Sequence, residues 1–522
     1  MKRLLPLVLS GAILPATLQA ELKLPAIISS HMVLQQKQAN PIWGWDTPGT
    51  KVTVSFAGQT KSAEAGQDGK WTVKLDAVPA NDQPQSIKIT AGGQNVELED
   101  VLVGEVWMCS GQSNMGFVLG SDWNGDLEAA ASNHPKLRLI KVPQLGTQEL
   151  KNDFKGEWKS TTPQTATSFS AVGFLFGRYL HEVLGVPVGL IDNAWGGSAA
   201  EAWIRRDTIE NDPRFAALME KTKSGEAFRL TEKAKEEYAA EMEKHKVAAA
   251  KAKEAGKPVP RPPQSPEAWM SGNQRPGNIF AGVVNPTLGY GMKGVIWYQG
   301  EANAGRAWEY AQLFPFMIEQ WRKEWNQGQF PFYWVQLADY LKEEKNPGES
   351  SWAELRESQT KTMSLPNTGQ AVIIDLGEGK DIHPKNKHDV AARLVRWALA
   401  KDYGVKIAYR SPEFKTLEIN ENKAVVTIDC FGSALRTFDV EEAIGFAVCG
   451  EDHQWHWATG KVLGKDKVEL TCEAVPKPIA VRYAWANNPV CNVTSFEGLP
   501  LTPFRTDDFE MITKPKPAAE KK

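Results

Sequence analysis

The chain has 522 residues, of which 42% are hydrophobic and 24% charged, a composition typical of soluble globular proteins. This length is too great for one core and indicates about three domains. The net charge of -3 provides no electrostatic basis for binding nucleic acid or an anionic membrane surface. We therefore expect no nucleic-acid partner.

The first residues have the features of a secretory signal peptide. Lys2 and Arg3 give a positive start, residues 4–14 form a short apolar stretch, and Leu18-Gln19-Ala20 resembles a cleavage site. We predict a signal peptide over 1–20 and a mature start near Glu21. No later stretch reaches the ~20 apolar residues needed to cross a bilayer. The sequence thus predicts an exported protein, periplasmic or secreted, without membrane insertion.

Residues 21–104 have the pattern of a small β-domain. Apolar and polar residues alternate over 51–56, 71–75 and 86–90, and the turn signals Asp68-Gly69 and Gly92-Gly93 precede the second run and follow the third. Short strands at this spacing are typical of a β-sandwich.

Residues 105–403 predict an α/β domain, because strand and helix patterns alternate along them. The predicted strands are 105–109, 188–191, 295–298, 332–337 and 371–375, and the predicted helices are 172–184, 308–325, 352–363 and 388–400. Strands that alternate with helices in this way form a parallel sheet.

An insertion, a second β-region and a tail complete the organisation. Residues from about 205 to 270 are rich in Ala, Glu and Lys and then in Pro, which predicts an exposed helical insertion. Residues 404–511 return to a β pattern, and 512–522 are predicted to be a disordered tail. The five cysteines (109, 430, 449, 472 and 491) are compatible either with one or two disulfides late in the chain or with buried thiols.

Ser113 is the first candidate for chemistry. It follows the buried strand 105–109 in a small, glycine-containing turn, and open parallel sheets bind ligands at the carboxyl ends of their strands. A serine hydroxyl becomes a useful nucleophile only when a base takes its proton. Alone, this pattern favours an ordinary turn serine.

A base for that serine is offered by His383. The segment Asp381-Ile382-His383-Pro384 lies between the strand 371–375 and the helix 388–400, at the same edge of the same sheet. An Asp two residues before a His can accept the imidazole Nδ1–H and so direct Nε2 toward a serine.

Two further polar turns follow predicted strands, and both offer hydrogen-bond donors. Residues 195–198 (Trp-Gly-Gly-Ser) follow the strand 188–191, and residues 299–303 (Gln-Gly-Glu-Ala-Asn) follow the strand 295–298. Glycine backbone N–H groups and an Asn amide can stabilise the oxyanion of an acyl-transfer reaction. Four polar turns at the ends of four strands of one sheet favour a functional site over ordinary strand-end turns.

The amino-acid sequences of these turns resemble the motifs of SGNH hydrolases, and more closely those of the sialate O-acetylesterase family. The similar motifs are 24–26, 32–36, 110–115 (SGQSNM), 196–203 (GGSAAEAW), 297–304 (WYQGEANA) and 381–387 (DIHPKNK). The resemblance extends over about 22–400 and more loosely to the end. It implies a three-layer α/β/α domain of the SGNH type, flanked by β-sandwich-like domains.

The resemblance also implies a role for each matching residue. Ser113 would be the nucleophile, His383 the general base and Asp381 the carboxylate that orients it. The oxyanion donors would be the backbone N–H groups of Ser113 and Gly197 and the side chain of Asn303. Three further residues would support the substrate pocket, namely Gln112, Gln299 and Glu301. The implied reaction is hydrolysis of O-acetyl esters on a glycan, most naturally sialic acid, with no metal or cofactor.

Three alternatives remain open. The same chemistry could act on acetylated xylan, xyloglucan or mannan. Asp381, His383 and His388 could instead bind zinc in a metal hydrolase. The two β-regions, with tryptophans such as Trp455 and Trp457, also fit a non-catalytic carbohydrate-binding protein.

Overall fold

The computed structural model describes residues 22–516, so the predicted signal peptide lies outside the described residues. The N-terminal β-region is the first part of the described chain. Its strands are β1 (Val33–Gln35), β2 (Asn40–Trp45), β3 (Lys51–Phe56), β4 (Gln59–Glu64), β5 (Lys70–Leu75) and β6 (Asn81–Ala91). β3 pairs antiparallel with β4 and β6, while β2 pairs antiparallel with β5. Val52, Val54 and Phe56 are buried, as the alternating pattern predicts.

The next strand, β7 (Gln94–Gly111), belongs to two sheets. Its first part pairs antiparallel with β6, and its last residues pair parallel with two strands of the α/β region. It is therefore one continuous strand across the predicted boundary at 104/105. The sequence pattern changes there because the first part is buried on one face, whereas residues 101–111 are buried on both.

A parallel sheet forms the centre of the molecule. Its other strands are β8 (His134–Lys141), β9 (Lys159–Thr161), β10 (Val188–Asp192), β11 (Gly294–Tyr298), β12 (Phe332–Val335) and β13 (Thr368–Ala371). The order across the sheet is β13-β12-β11-β7-β10-β8-β9, with β9 as an antiparallel edge strand. β7 thus lies between β10 and β11. The chain connections on the two sides of β7 run in opposite directions across the sheet, and such a point leaves a crevice at the carboxyl ends of the strands.

One predicted strand was misplaced. Residues 371–375 were predicted as a strand, but β13 covers Thr368–Ala371, and Ala371 pairs with Val335, the last residue of β12. Val372 and Ile374 are nevertheless buried, because they pack into the core of the C-terminal β-region. Their apolar character therefore reflects contact with another part of the chain and not pairing in the sheet. β8 and β9 were not predicted.

Helices cover both faces of this sheet. The helices of residues 22–516, including those of the insertion, are α1 (Ser113–Gly116), α2 (Gly125–Ala130), α3 (Pro163–Thr167), α4 (Ala171–Leu184), α5 (Arg206–Glu210), α6 (Ala216–Arg229), α7 (Glu232–Glu254), α8 (Pro266–Met270), α9 (Ala307–Trp325), α10 (Ser351–Lys361) and α11 (Lys387–Lys401). Trp107 and Cys109 of β7 face the core formed with α4 and α11, whereas Val106 and Met108 face the core that contains α9. This alternation along one strand produces the three α/β/α layers. The predicted fold class is confirmed.

Helices α5 to α8 occupy the predicted insertion, and α7 is exposed along most of its length. The C-terminal strands are β14 (Glu413–Asn420), β15 (Lys423–Asp429), β16 (Leu435–Thr437), β17 (Glu442–Ala443), β18 (Phe446–Cys449), β19 (Trp455–Trp457), β20 (Thr459–Leu463), β21 (Lys467–Thr471), β22 (Ala480–Tyr483), β23 (Val493–Ser495) and β24 (Phe504–Arg505). All five cysteines are free thiols. Across residues 22–516, no helix is both long and apolar enough to span a bilayer.

The predicted disordered tail begins in contact with the α/β region. The backbone N–H groups of Ile512 and Thr513 donate to the Glu354 carboxylate of α10 at 2.6 and 3.1 Å. The Thr513 hydroxyl donates to the same carboxylate at 2.6 Å. Residues 512 and 513 are therefore attached to the body of the protein.

Candidate active site

Ser113 lies at the sharp turn between β7 and α1, at the carboxyl end of the central strand. Gly111, the last residue of β7, has φ +130°, and a Cβ added there would lie 2.3 Å from the carbonyl oxygen of Tyr298. Only glycine permits β7 and β11 to approach this closely before the chain turns. The turn then places Ser113 as the first residue of α1, with its side chain half-buried at the crevice.

The predicted contact between the serine and the imidazole is present. Nε2 of His383 lies 2.9 Å from Oγ of Ser113, although the two residues are 270 positions apart. His383 is carried by the loop between β13 and α11, at the same sheet edge as Ser113. The ring of Phe117 stacks on the imidazole with centroids 6.4 Å apart. This geometry allows His383 to take the hydroxyl proton.

Asp381 lies on the other side of the imidazole. Its Oδ1 is 3.2 Å from His383 Nδ1 and also accepts the backbone N–H of His383 at 3.0 Å. Hydrogen bonds from that backbone N–H, and then from the ring, lower the pKa of Asp381 despite partial desolvation. The side chain is 40% exposed, so water screens its charge.

The glycine turn after β10 faces Ser113. A Cβ added to Gly196 would lie 3.3 Å from Cβ of Ser113, and Gly197 has φ +71°. Within residues 22–516, the backbone N–H groups of Ser113 and Gly197 have no hydrogen-bond acceptor. Two free donors beside the Ser113 hydroxyl can bind a carbonyl oxygen as it becomes negative. The turn is held by Asn273, whose Nδ2 donates to Gly196 O at 2.5 Å.

Asn303 lies in a 3₁₀ turn (Glu301–Arg306) after β11 and is nearly fully buried. Its Oδ1 accepts the Ala200 N–H at 3.0 Å and the Gln299 amide at 2.7 Å. Its Nδ2 donates to Glu201 Oε2 at 3.0 Å, which leaves one Nδ2 hydrogen for another acceptor. Because both amide atoms are engaged, the orientation of Asn303 is fixed.

The three residues expected to support the substrate pocket form hydrogen bonds with residues around Asn303 and Ser113. Gln299 is fully buried, and besides Asn303 it bonds Ser198 O and the Tyr310 hydroxyl, each at 3.0 Å. Gln112 Oε1 accepts the Ala302 N–H at 3.4 Å. Glu301 Oε1 accepts from Asn114 Nδ2 at 2.7 Å, and burial raises the pKa of the Glu301 carboxyl. These contacts hold the turn that carries Asn303.

Four further residues at the site were not singled out from the sequence. Asn114, Glu201 and Lys387 lie inside the quoted motifs, so proximity to those motifs was the available signal. Asn273 lies in no motif. Glu201 binds Asn303 and also pairs with Arg306 at 2.6 Å.

His388 does not join His383. Its Nε2 lies 3.4 Å from Asp122 Oδ2 and 3.8 Å from Glu128 Oε1. In the described part of the chain, no group of three or more His, Cys, Asp or Glu side chains is arranged to hold a metal ion. The ligand set suggested for zinc is therefore not assembled.

An open cleft of about 620 Å³ adjoins the serine. It is lined by Ser113, Gly116, Lys141, Val142, Pro143, Gln144, Lys155, Asp192, Ala194 and Gly196. Lys141 Nζ lies 3.6 Å from the buried Asp192 carboxylate, and burial raises the pKa of Asp192. Lys155 is exposed at the cleft. The cleft therefore carries an excess of positive charge.

The chain is similar in sequence to known carbohydrate esterases. A family model described as carbohydrate esterase, sialic acid-specific acetylesterase, matches residues 103–245 and 266–399. The chain is 29% identical to a sialate O-acetylesterase of Mus musculus, covering 88% of this chain and 89% of that protein. It is 30% identical to the sialate O-acetylesterase of Rattus norvegicus, with the same coverage.

A solved structure is similar over nearly the whole fold. The crystal structure of a carbohydrate acetylesterase from Xanthomonas citri has 35% sequence identity and a TM-score of 0.79, and the match covers 94% of this chain and 100% of that one. The resemblance expected from the sequence motifs is thus confirmed. The chain is an esterase that belongs to the sialic acid-specific acetylesterase family of carbohydrate esterases.

Proposed function

We propose that this protein removes O-acetyl groups from sialic acid by a serine-based mechanism. The observation that carries the proposal is the 2.9 Å contact between Ser113 Oγ and His383 Nε2 at the carboxyl edge of the parallel sheet. A hydroxyl within hydrogen-bonding reach of an imidazole can be activated for attack on an ester.

The reaction proceeds by two acyl transfers. His383 takes the Ser113 proton as Oγ attacks the acetyl carbonyl, and the tetrahedral intermediate collapses with loss of the sugar hydroxyl, which His383 protonates. Water then attacks the acetyl-enzyme, again with His383 as base, and acetate leaves. Asp381 orients the imidazole and stabilises its positive charge.

Three donors bind the oxyanion in this scheme. They are the unpaired backbone N–H groups of Ser113 and Gly197 and the remaining Nδ2 hydrogen of Asn303. Removing one such donor typically costs about 10²–10³ in rate. Gln299 and Glu201 act by holding Asn303.

The cleft favours an anionic sugar. Lys141 and Lys155 line the cleft beside Ser113. Asp192, the last residue of β10, also lines it, and burial raises the pKa of its carboxyl group. A sialic acid carries a carboxylate that such lysines attract. The curated relatives named above are sialate O-acetylesterases. From the leader-like residues 1–20 we also propose export to the periplasm or the exterior.

The catalytic assignment is tested with Ser113→Ala and His383→Ala. Hydrolysis of an aryl acetate should fall by several orders of magnitude in both variants, with unchanged thermal unfolding. Ser121→Ala, at an exposed serine on the following turn, is the matched control and should retain full activity. Normal turnover by Ser113→Ala would refute the serine mechanism.

The substrate is tested by measuring acetate release from O-acetylated sialosides and from acetylated xylan, xyloglucan and mannan. We expect the highest kcat/KM on the sialosides. Lys155→Gln should raise KM for a sialoside and leave hydrolysis of a neutral aryl acetate unchanged. Preference for a neutral polysaccharide, with no effect of Lys155→Gln, would contradict the sialate assignment.

A further inference from the structure

Lys387 is a fully buried amine that contacts Asn114, the residue after Ser113. It is the first residue of α11, and its side chain has 0% exposure. Nζ donates to Oδ1 of Asn114 at 2.6 Å and lies 5.0 Å from the ring centroids of both Phe117 and Tyr298. The proposed reaction uses none of its atoms.

Asn114 connects the Lys387 amine to the segments that carry Ser113 and His383. Its Nδ2 donates to the carbonyl oxygen of Ile382 at 3.0 Å and to Glu301 Oε1 at 2.7 Å. Asn114 directly follows Ser113, and Ile382 directly precedes His383. The Asn114 amide therefore links the two catalytic segments one residue away from each catalytic side chain.

The Lys387 amine determines how that amide is oriented. Its Nζ donates an N–H to the amide oxygen of Asn114 at 2.6 Å, and it keeps N–H hydrogens for this bond with or without its third proton. The amide NH₂ is then directed to Ile382 O and to the Glu301 carboxylate, which both accept. Without the Lys387 donor, the Asn114 amide could rotate and present its oxygen to Ile382 O and the Glu301 carboxylate. The repulsion between these oxygens would separate the segments that carry Ser113 and His383.

Packing alone does not account for a lysine at this position. Desolvation lowers the pKa of Lys387 to about 7, although Glu301, Asp122, Asp381 and Glu378 act in the opposite direction. Burial of an ammonium is unfavourable for folding. An apolar side chain of similar length would fill the space between the two aromatic rings without this cost.

We propose that Lys387 is a positioning residue that, through Asn114, fixes the distance and angle between Ser113 and His383. This inference rests on the proposed function of that pair. Small displacements of reacting groups of about 1 Å can cost about 10² in rate. Lys387 should therefore act on kcat and not on substrate binding.

The test is a double-mutant cycle with Lys387→Met and Asn114→Leu, both close in shape to the original side chains. With an aryl acetate as substrate, each single variant should lower kcat by about 10- to 100-fold and change KM less than about twofold. The double variant should be no worse than Asn114→Leu, because Lys387 acts through Asn114. A purely structural role would instead change the thermal unfolding midpoint without this pattern.

Lys293→Met is the matched control. Lys293 also lies over an aromatic ring, Tyr403 at 5.6 Å, and pairs with Asp402 at 3.4 Å, but it precedes β11 at the opposite sheet edge. Its removal should leave kcat unchanged.

A second variant covers the case in which Lys387→Met does not fold. Asn114→Asp keeps an acceptor for Lys387 but offers no N–H to Ile382 O or to Glu301 Oε1, so it should lose kcat. Wild-type kcat in Asn114→Asp or in Lys387→Met, or additive losses in the double variant, would overturn the inference. If Ser113→Ala is inactive in the same assay, such a result removes only the role of Lys387 and leaves the proposed function intact.

Discussion

Replacement of Asp381 by Asn measures how much an exposed carboxylate contributes to stabilising the protonated imidazole of His383. Asp381 Oδ1 lies 3.2 Å from His383 Nδ1, and its side chain is 40% exposed. At this distance, a unit charge stabilises an imidazolium by about 1.3 kcal/mol in a water-like dielectric and by about 5 kcal/mol at an effective dielectric of 20. The exposure places the true value near the lower limit.

We therefore expect Asp381→Asn to lower kcat/KM by about 10- to 100-fold, since about 1.4 kcal/mol corresponds to a factor of ten. The Asn oxygen can still accept the backbone N–H and the ring N–H of His383, so the loop should keep its shape. In a buried triad, the same exchange costs about 10⁴. Asp381 should thus contribute far less than a buried partner.

The assay is steady-state hydrolysis of an aryl acetate at pH 7–8, with thermal unfolding measured in parallel. Asp375→Asn is the matched control, because Asp375 lies on the same connection, is 36% exposed and pairs with Arg393. It should retain wild-type kcat/KM. A loss in Asp381→Asn of about 10⁴ or more, or one below twofold, would refute the screening argument.

Three further predictions follow from individual contacts. Asn303→Ala should lower kcat by about 10²–10³ in the same assay, because an oxyanion donor is lost. The variant should also be less stable by about 1–3 kcal/mol in urea unfolding, because the buried donors Ala200 N and Gln299 Nε2 lose their acceptor. Asp507→Asn should cost about 3–5 kcal/mol at pH 7, since it breaks a buried pair with Arg482 at 2.8 Å. Burial alone would raise the pKa of Asp507, but the bonds from Arg482 outweigh it and the folded-state pKa is lowered. Its stabilisation is therefore present above the unfolded pKa of about 3.9 and is lost as pH falls through the lower folded value, so urea curves of wild type and variant should converge in acid. Finally, since all five cysteines are free, dithiothreitol should not shift Tm, whereas loss of a disulfide would lower it.

The arrangement of the catalytic pair could be predicted because its signals are local. Ser113, Gly197 and Asn303 each follow a buried strand within a few residues, and His383 lies in the loop before an evident helix. Parallel strands bring their carboxyl ends to one edge, so a correct strand assignment also places these residues together. The family motifs then added the role of each residue.

The remaining features depend on contacts between distant parts of the chain. Hydrophobic periodicity reports which faces of a segment are buried but not what buries them. Only residues 105–109 of β7 were therefore predicted as a strand. Residues 371–375 were also predicted as a strand, although Val372 and Ile374 pack into the core of the C-terminal β-region.

The sequence by itself determined the fold class and the Ser113–His383 pair, because strand-end turns and strand periodicity are properties of short segments. The tertiary structure alone decided the contact between Asn114 and Lys387, which joins positions 273 residues apart. A hydrogen bond of that range has no local pattern, since its donor and acceptor meet only after the sheet has formed and α11 has packed against it.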